Sequence, residues 1–206
     1  MKWMIQGAIV LADAGAKPEQ ADILIEDDCI SAVSPELPIE SLQVQKIISG
    51  RNKLVIPGLI NAHLHSHDRF DKGRFDKLPL EVWMARYNPP TAPRNWTPRE
   101  CYLRTILSGM EVLRSGTTTV LDDLHPGWPV SRDCLDAVFQ AYEDIGLRAR
   151  VSLAQADKPF YESIPFLADL LPETFKKKPA LTPGDPQEAP AGCVNLDQVS
   201  PPSSLR

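Results

Sequence analysis

The sequence lacks any apolar run near the roughly 18 residues that a membrane-spanning helix needs, and its opening, MKWMIQGAIVLADAG, has neither the longer apolar core nor the cleavage pattern of a secretory signal. A membrane partner is therefore set aside and a cytoplasmic protein is expected. Cysteine is sparse and scattered. Cys29, Cys101, Cys134 and Cys193 form no C-x-x-C pair, so they read as reduced, mostly buried thiols rather than a disulfide frame or a zinc cage. The chain also lacks a basic stripe: 22 Lys and Arg are spread against 27 Asp and Glu, a net charge of -5, which gives no clustered cation surface for nucleic acid. What remains is ordinary globular material. With 43% hydrophobic residues in 206, the chain can build one sizeable core or two small ones.

Three segments differ in pattern. Residues 1–54 read as a small β-domain: KWMIQGAIVL is one strand, ADILIEDDCISAVS is a hairpin turning at Asp27-Asp28, and VQKIISG is a further strand. Residues 55–172 change to strand followed by helix, the pattern of an α/β fold with a parallel sheet. KLVIPGLINAHLHS reads as a first strand. Thr97, Pro98 and Glu100 supply an N-cap, a proline at the first helical turn and an N3 carboxylate, and the helix CYLRTILSGMEVLRSG follows. Its Leu103, Ile106, Leu107, Met110 and Leu113 share one face and are expected to form core, with Gly116 ending the helix. TTTVLDD is a second strand. Ser131 can cap a second helix, RDCLDAVFQAYEDIG, with Leu135, Val138, Phe139 and Tyr142 inward and Gly146 as its stop. LRARVSLAQ is a third strand, and PFYESIPFLADLLP begins a further helical or loop segment.

Residues 173–206 change character once more. From Pro172 there are seven prolines in 35 residues and no periodicity, so the tail is expected to be disordered, with no fourth strand. The break in composition also suggests a truncated gene model or a shifted reading frame.

Histidine is rare, with four in the chain, yet His63, His65 and His67 stand at alternate positions behind an apolar strand. Side chains at i and i+2 of a strand share a face, so His63 and His65 can offer two imidazole nitrogens to one metal ion. They lie at the carboxyl end of their strand, where parallel α/β folds keep their ligands.

VIPGLINAHLHSH, preceded by a small β-domain and followed by SGTTTVLDD, resembles the amidohydrolase superfamily, in its branch of metal-dependent deaminases and chlorohydrolases of nitrogen heterocycles. The P-G-x-x-N-x-H-x-H signature and the G-T-T-T-V strand carry the likeness over about Trp3 to Pro172, and DKLPLEVWM is similar to the substrate-side loop of that branch. The resemblance implies a (β/α)₈ barrel holding a divalent metal, zinc ahead of iron, with His63 and His65 as its first two ligands. Metal-activated water would attack a carbon-nitrogen bond of a small heterocycle. His67 would line the pocket or be solvated. Asp122, Asp123 and His125 end the second strand on the pocket side, although helix capping or loop hydrogen bonding accounts for them equally well; Gln155 ends the third.

The family completes its metal sphere from its fifth, sixth and eighth strands, and no histidine follows His125. About 250 residues make a closed barrel, so about three strand-helix units imply a partial TIM-like barrel. The expectation is a truncated hydrolase, weakly active or inactive, that holds its metal weakly. Alternatives are a non-catalytic remnant or interaction module completed by a second chain, and a plain α/β protein with a satisfied histidine cluster. Homo-oligomerisation stays open.

Overall fold

Asp27, in the left-handed region at φ 56°, turns the chain between β2 (Glu19–Glu26) and β3 (Cys29–Ser34), which pair antiparallel as the hairpin pattern requires. This computed structural model describes residues 1–87, 96–125, 131–153, 162, 166–173 and 194–195. On the other side of β2 lies β1 (Lys2–Val10), antiparallel, with Trp3 opposite Ile25 and Met4 opposite Leu24. The register shifts between Ile5 and Ala8. Gly7 sits there at φ 68°, a conformation that costs a residue without Cβ little, and its N–H donates to Asp22 Oδ1 at 2.7 Å. Two short strands, β4 (Lys46–Ser49) and β5 (Leu54–Val55), run parallel to β1. A single helical turn, α1 (Ile39–Leu42), precedes β4 and carries no sequence signal strong enough to announce it. Met4, Ala8, Ile23 and Leu24 are buried, and these elements form one compact unit, Met1–Gly58.

The stretch expected as one strand from Lys53 to Ser66 is two strands in two sheets. β5 ends at Val55 and belongs to the first sheet, whereas β6 (Leu59–Leu64) opens the second. Pro57 has no N–H to give to a ladder, and the break falls at Pro57-Gly58.

In the second unit, Leu59–Arg206, the strands β6, β7 (Thr117–Leu124) and β8 (Arg148–Leu153) lie side by side and parallel. Helices stand between them in the chain. After β6 come a 3₁₀ helix (Ser66–Asp71), α2 (Leu80–Tyr87) and α3 (Pro98–Arg114); α4 (Arg132–Ile145) joins β7 to β8. DKLPLEVWM is thus partly helical, since α2 begins at Leu80. A short turn of helix, Leu167–Leu170, lies further on. Nearly all of the tail lies outside the described residues. Val194–Asn195 form a two-residue strand, β9, antiparallel to β8. Two residues are too few for a periodic signal.

α3 starts as expected. Thr97 Oγ1 accepts the Glu100 N–H at 3.2 Å, while Glu100 Oε2 accepts the Thr97 N–H at 2.8 Å. Its core face, however, is not the leucine-rich one. The buried residues are Cys101, Arg104, Thr105, Ser108, Gly109 and Val112, while Leu107 and Met110 are about half exposed at 47% and 50%. At Gly109 the approach of α4 is close, since a Cβ there would stand 3.0 Å from Ile145 Cδ1.

On α4 the expected stripe is inward. Leu135, Val138 and Tyr142 are buried with Phe139 packed beside them, and Gly146 at φ 69° ends the helix. They meet Leu64, Val120, Leu124, Ala149 and Val151 of the sheet. Cys101 and Cys134 are buried free thiols, whereas Cys29 is exposed. Cys193, Gln155 and most of the tail lie outside the described residues. Among the described residues no helix is long and apolar enough to cross a membrane.

Candidate metal centre

β6 ends at Leu64, and its register sets Leu64 beside Asp122 of β7. The flanking residues therefore meet at the carboxyl ends of two parallel strands. His63 is exposed and His65 half-buried, and their rings lie side by side, 4.6 Å between centroids at 83°. His65 Nδ1 is 2.8 Å from the backbone oxygen of Asp123. A carbonyl can only accept, so Nδ1 carries the proton and Nε2 keeps its lone pair for a ligand. Donor atoms of His63, His65 and Asp123 lie within 4.8 Å of one another. Imidazole nitrogens with a carboxylate oxygen are the donor types zinc and ferrous iron take, so this set fits a divalent ion.

The two adjacent aspartates face opposite ways, as strand alternation demands. Asp122 is fully buried on the helix side rather than facing the pocket, and the loop hydrogen bonding that the sequence reading held equally open accounts for it. Its Oδ1 accepts the Ser66 N–H at 3.0 Å; its Oδ2 accepts the Ser66 hydroxyl at 2.6 Å and the Tyr142 hydroxyl at 2.8 Å. Burial raises the Asp122 pKa above the usual carboxylate range despite the opposing hydrogen bonds from Ser66 and Tyr142. Asp122 thereby ties the turn after β6 to β7 and α4. Asp123 is half-buried on the other face, where Ser152 Oγ donates to its Oδ1 at 3.3 Å.

His67 is buried, with 2% of its surface exposed. Its Nδ1 accepts the His125 N–H at 3.1 Å, and its ring stands 5.2 Å from that of His65 and 5.0 Å from that of His125. Burial, aided by the charges His125, Arg104 and His65 would carry, pushes its pKa down to about 2. His67 is thus a neutral acceptor that holds the chain after β7. Behind it Arg104 is fully buried: its guanidinium lies 4.5 Å over the Trp96 ring, and Nη2 donates to the His125 carbonyl at 3.4 Å.

His63 and His65 line a cavity of about 360 Å³. Trp83 and Tyr87 form part of its wall, stacked at 4.9 Å and 4°. They stand one helical turn apart on α2, and that i, i+4 aromatic pair was the available signal for two site residues that the sequence reading passed over. Arg69 and Lys72, also at the cavity, both reach Glu111 of α3, the latter at 2.6 Å. The cavity volume falls in the range of small-molecule sites.

The description that matches this chain, over residues 54–192, is the amidohydrolase family. That match runs past Pro172, where the sequence likeness was expected to stop. The chain is 33% identical over 153 residues to a 5-methylthioadenosine/S-adenosylhomocysteine deaminase of Carboxydothermus hydrogenoformans, covering 71% of this chain and 33% of that protein. It thus spans about a third of that relative's length. Two solved structures from Arthrobacter aurescens are similar at 25% identity. A triazine hydrolase has a TM-score of 0.65, with 81% of this chain and 39% of that one covered. Atrazine chlorohydrolase complexed with zinc has a TM-score of 0.55, with 73% and 35% covered.

Proposed function

This chain belongs to the amidohydrolase family, and from that premise we propose that its second unit is the first part of a (β/α) barrel that hydrolyses a carbon-nitrogen bond, in deaminase fashion, on a small nitrogen heterocycle. His63 and His65 hold the divalent ion, zinc in the first instance. The observation that carries this reading is their pairing: two imidazoles 4.6 Å apart at the carboxyl end of β6, opening onto a 360 Å³ cavity with an aromatic wall. When bound, such an ion supplies Lewis acidity and lowers the pKa of water toward 7.

The chain's own residues prepare that site. Asp123 fixes the His65 tautomer through its backbone carbonyl, so that Nε2 faces outward as a neutral donor. Asp122, anchored by Ser66 and Tyr142, holds the turn that carries the histidines. Trp83 offers a flat apolar surface of the kind a heterocycle stacks against. The deaminase named among the relatives and the zinc-complexed chlorohydrolase both support this class of substrate and metal. The buried free thiols Cys101 and Cys134 suit a reducing, cytoplasmic setting.

Metal content tests the reading directly. Equilibrium dialysis of the purified chain against zinc should show weak, substoichiometric binding, and the His63→Ala/His65→Ala double variant should lose it. Zinc retained equally by both proteins would overturn the ligand assignment.

A further inference from the structure

We infer that Cys101 and Cys134 form an oxidisable dithiol, which a small disulfide such as glutathione disulfide closes into a reversible cross-link between the first turns of α3 and α4. The inference is independent of the metal reading, since neither thiol lines the cavity beside the histidines. Cys101 is the fourth residue of α3 and Cys134 the third of α4. Helices that alternate with adjacent parallel strands run in one direction, so their first turns lie at the same end. The contacts agree. The Cys134 thiol donates to the Trp96 carbonyl at 3.3 Å, one residue before the Thr97 cap of α3. The Cys101 thiol in turn hydrogen-bonds to the side chain of Cys134. Both sulfurs are buried in one core cluster, so packing holds them as neighbours. Cys29 is placed differently: it is exposed, and its thiol donates to Asp28 at 3.6 Å.

The exchange balances. One cysteine gives up its proton, and its thiolate attacks a sulfur of the small disulfide; a mixed disulfide forms and one small thiolate leaves, taking up the proton. The second cysteine repeats the step on the mixed disulfide, which forms the Cys101–Cys134 bond and expels the other small thiol. Two cysteines are oxidised and one small disulfide is reduced to two thiols. Burial sets the pace. It pushes the Cys101 thiol up to about 12, so the thiolate that performs exchange is scarce near neutral pH. The pair therefore stays reduced in a reducing setting and closes slowly under sustained oxidation. Closure ties α4 to the start of α3, the helix whose Arg104 donates to the His125 carbonyl at the end of β7.

The Cys29→Ser/Cys193→Ser variant keeps these two thiols alone and tests the pairing at equilibrium. It is equilibrated with reduced and oxidised glutathione at about pH 8.5, near the ordinary thiol pKa, starting from both the reduced and the oxidised protein. One series is in buffer and one in denaturing urea, and intact mass after acid quenching counts each species. The folded chain should favour the intramolecular disulfide over the unfolded chain by at least about thirtyfold, the low end of what a well-placed cross-link contributes. Equal or weaker preference in the folded chain would overturn the proposal, as would a folded chain that stops at a mixed disulfide with glutathione. The unaltered chain avoids dependence on variant folding. After the same oxidation, proteolytic mapping should recover Cys101 joined to Cys134, and a predominance of pairs through Cys29 or Cys193 would equally overturn the assignment.

Discussion

His67 shows how one residue's environment becomes a property of the whole protein. Buried against His65 and His125 with its Nδ1 accepting a backbone N–H, it is held neutral, its pKa pushed down to about 2 chiefly by burial. In the unfolded chain it takes up a proton near its ordinary value of about 6.5. Below that pH the unfolded state binds the extra proton, so stability falls as the solution is acidified, by up to about 1.4 kcal/mol per pH unit. Asp122 acts with the opposite sign. Its raised pKa means that the folded state takes up a proton before the unfolded one does, which adds stability as pH falls toward the ordinary carboxylate range. The two are separated by His67→Asn, whose side-chain oxygen preserves an acceptor for His125 and cannot titrate. Urea denaturation in the presence of chelator should show the parent chain losing about 1.6 kcal/mol more than the variant between pH 6.5 and 5. Parallel pH dependences would mean that His67 is protonated as freely in the fold as outside it.

At the scale of elements, the helix ends and strand positions follow local chemistry and were readable, whereas the face a helix buries depends on its neighbours. The capping box of α3, the Gly146 stop of α4 and the strand-end position of His63 and His65 all follow from contacts within a few residues. The inward face of α3 does not. Hydrophobic periodicity selects Leu103, Leu107 and Met110, but the helix turns Cys101, Arg104, Thr105, Ser108 and Gly109 inward, and α4 lies close at Gly109. The partnership of Asp123 with the histidines was hidden for a similar reason. It arises from the register of two strands 58 residues apart in the chain, which no local pattern encodes. The α3 assignment predicts an inversion of the usual mutational pattern. Leu107→Lys and Met110→Lys should each change stability by less than about 0.5 kcal/mol, the range of ordinary surface changes. Ser108→Leu, which overfills the tight face, should cost about 1–3 kcal/mol. Denaturant midpoints measured at constant m-value would reverse the assignment if the lysine variants proved the more damaging.

At the scale of the whole molecule, the unit Leu59–Arg206 begins with β6, an end strand of the second sheet among the described residues. Among the described residues β6 pairs with β7 on one side only, and its first two residues are apolar and open to solvent, Leu59 at 50% and Ile60 at 74%. An unpaired strand with exposed branched side chains is a template for another strand, and proteins commonly blunt such edges with lysine. No lysine lies within β6. If this edge governs association between molecules, Ile60→Lys should lower the concentration-dependent growth of sedimentation coefficient and light scattering, while leaving the thermal midpoint unchanged because the side chain is already outside the core. The paired variant Leu107→Lys/Met110→Lys provides the contrast, since it removes exposed apolar surface from a helix and leaves every backbone edge as it was. Suppression by the strand substitution alone would identify backbone pairing as the mode of association; suppression by the helix substitutions alone would assign it to apolar contact and refute the edge mechanism.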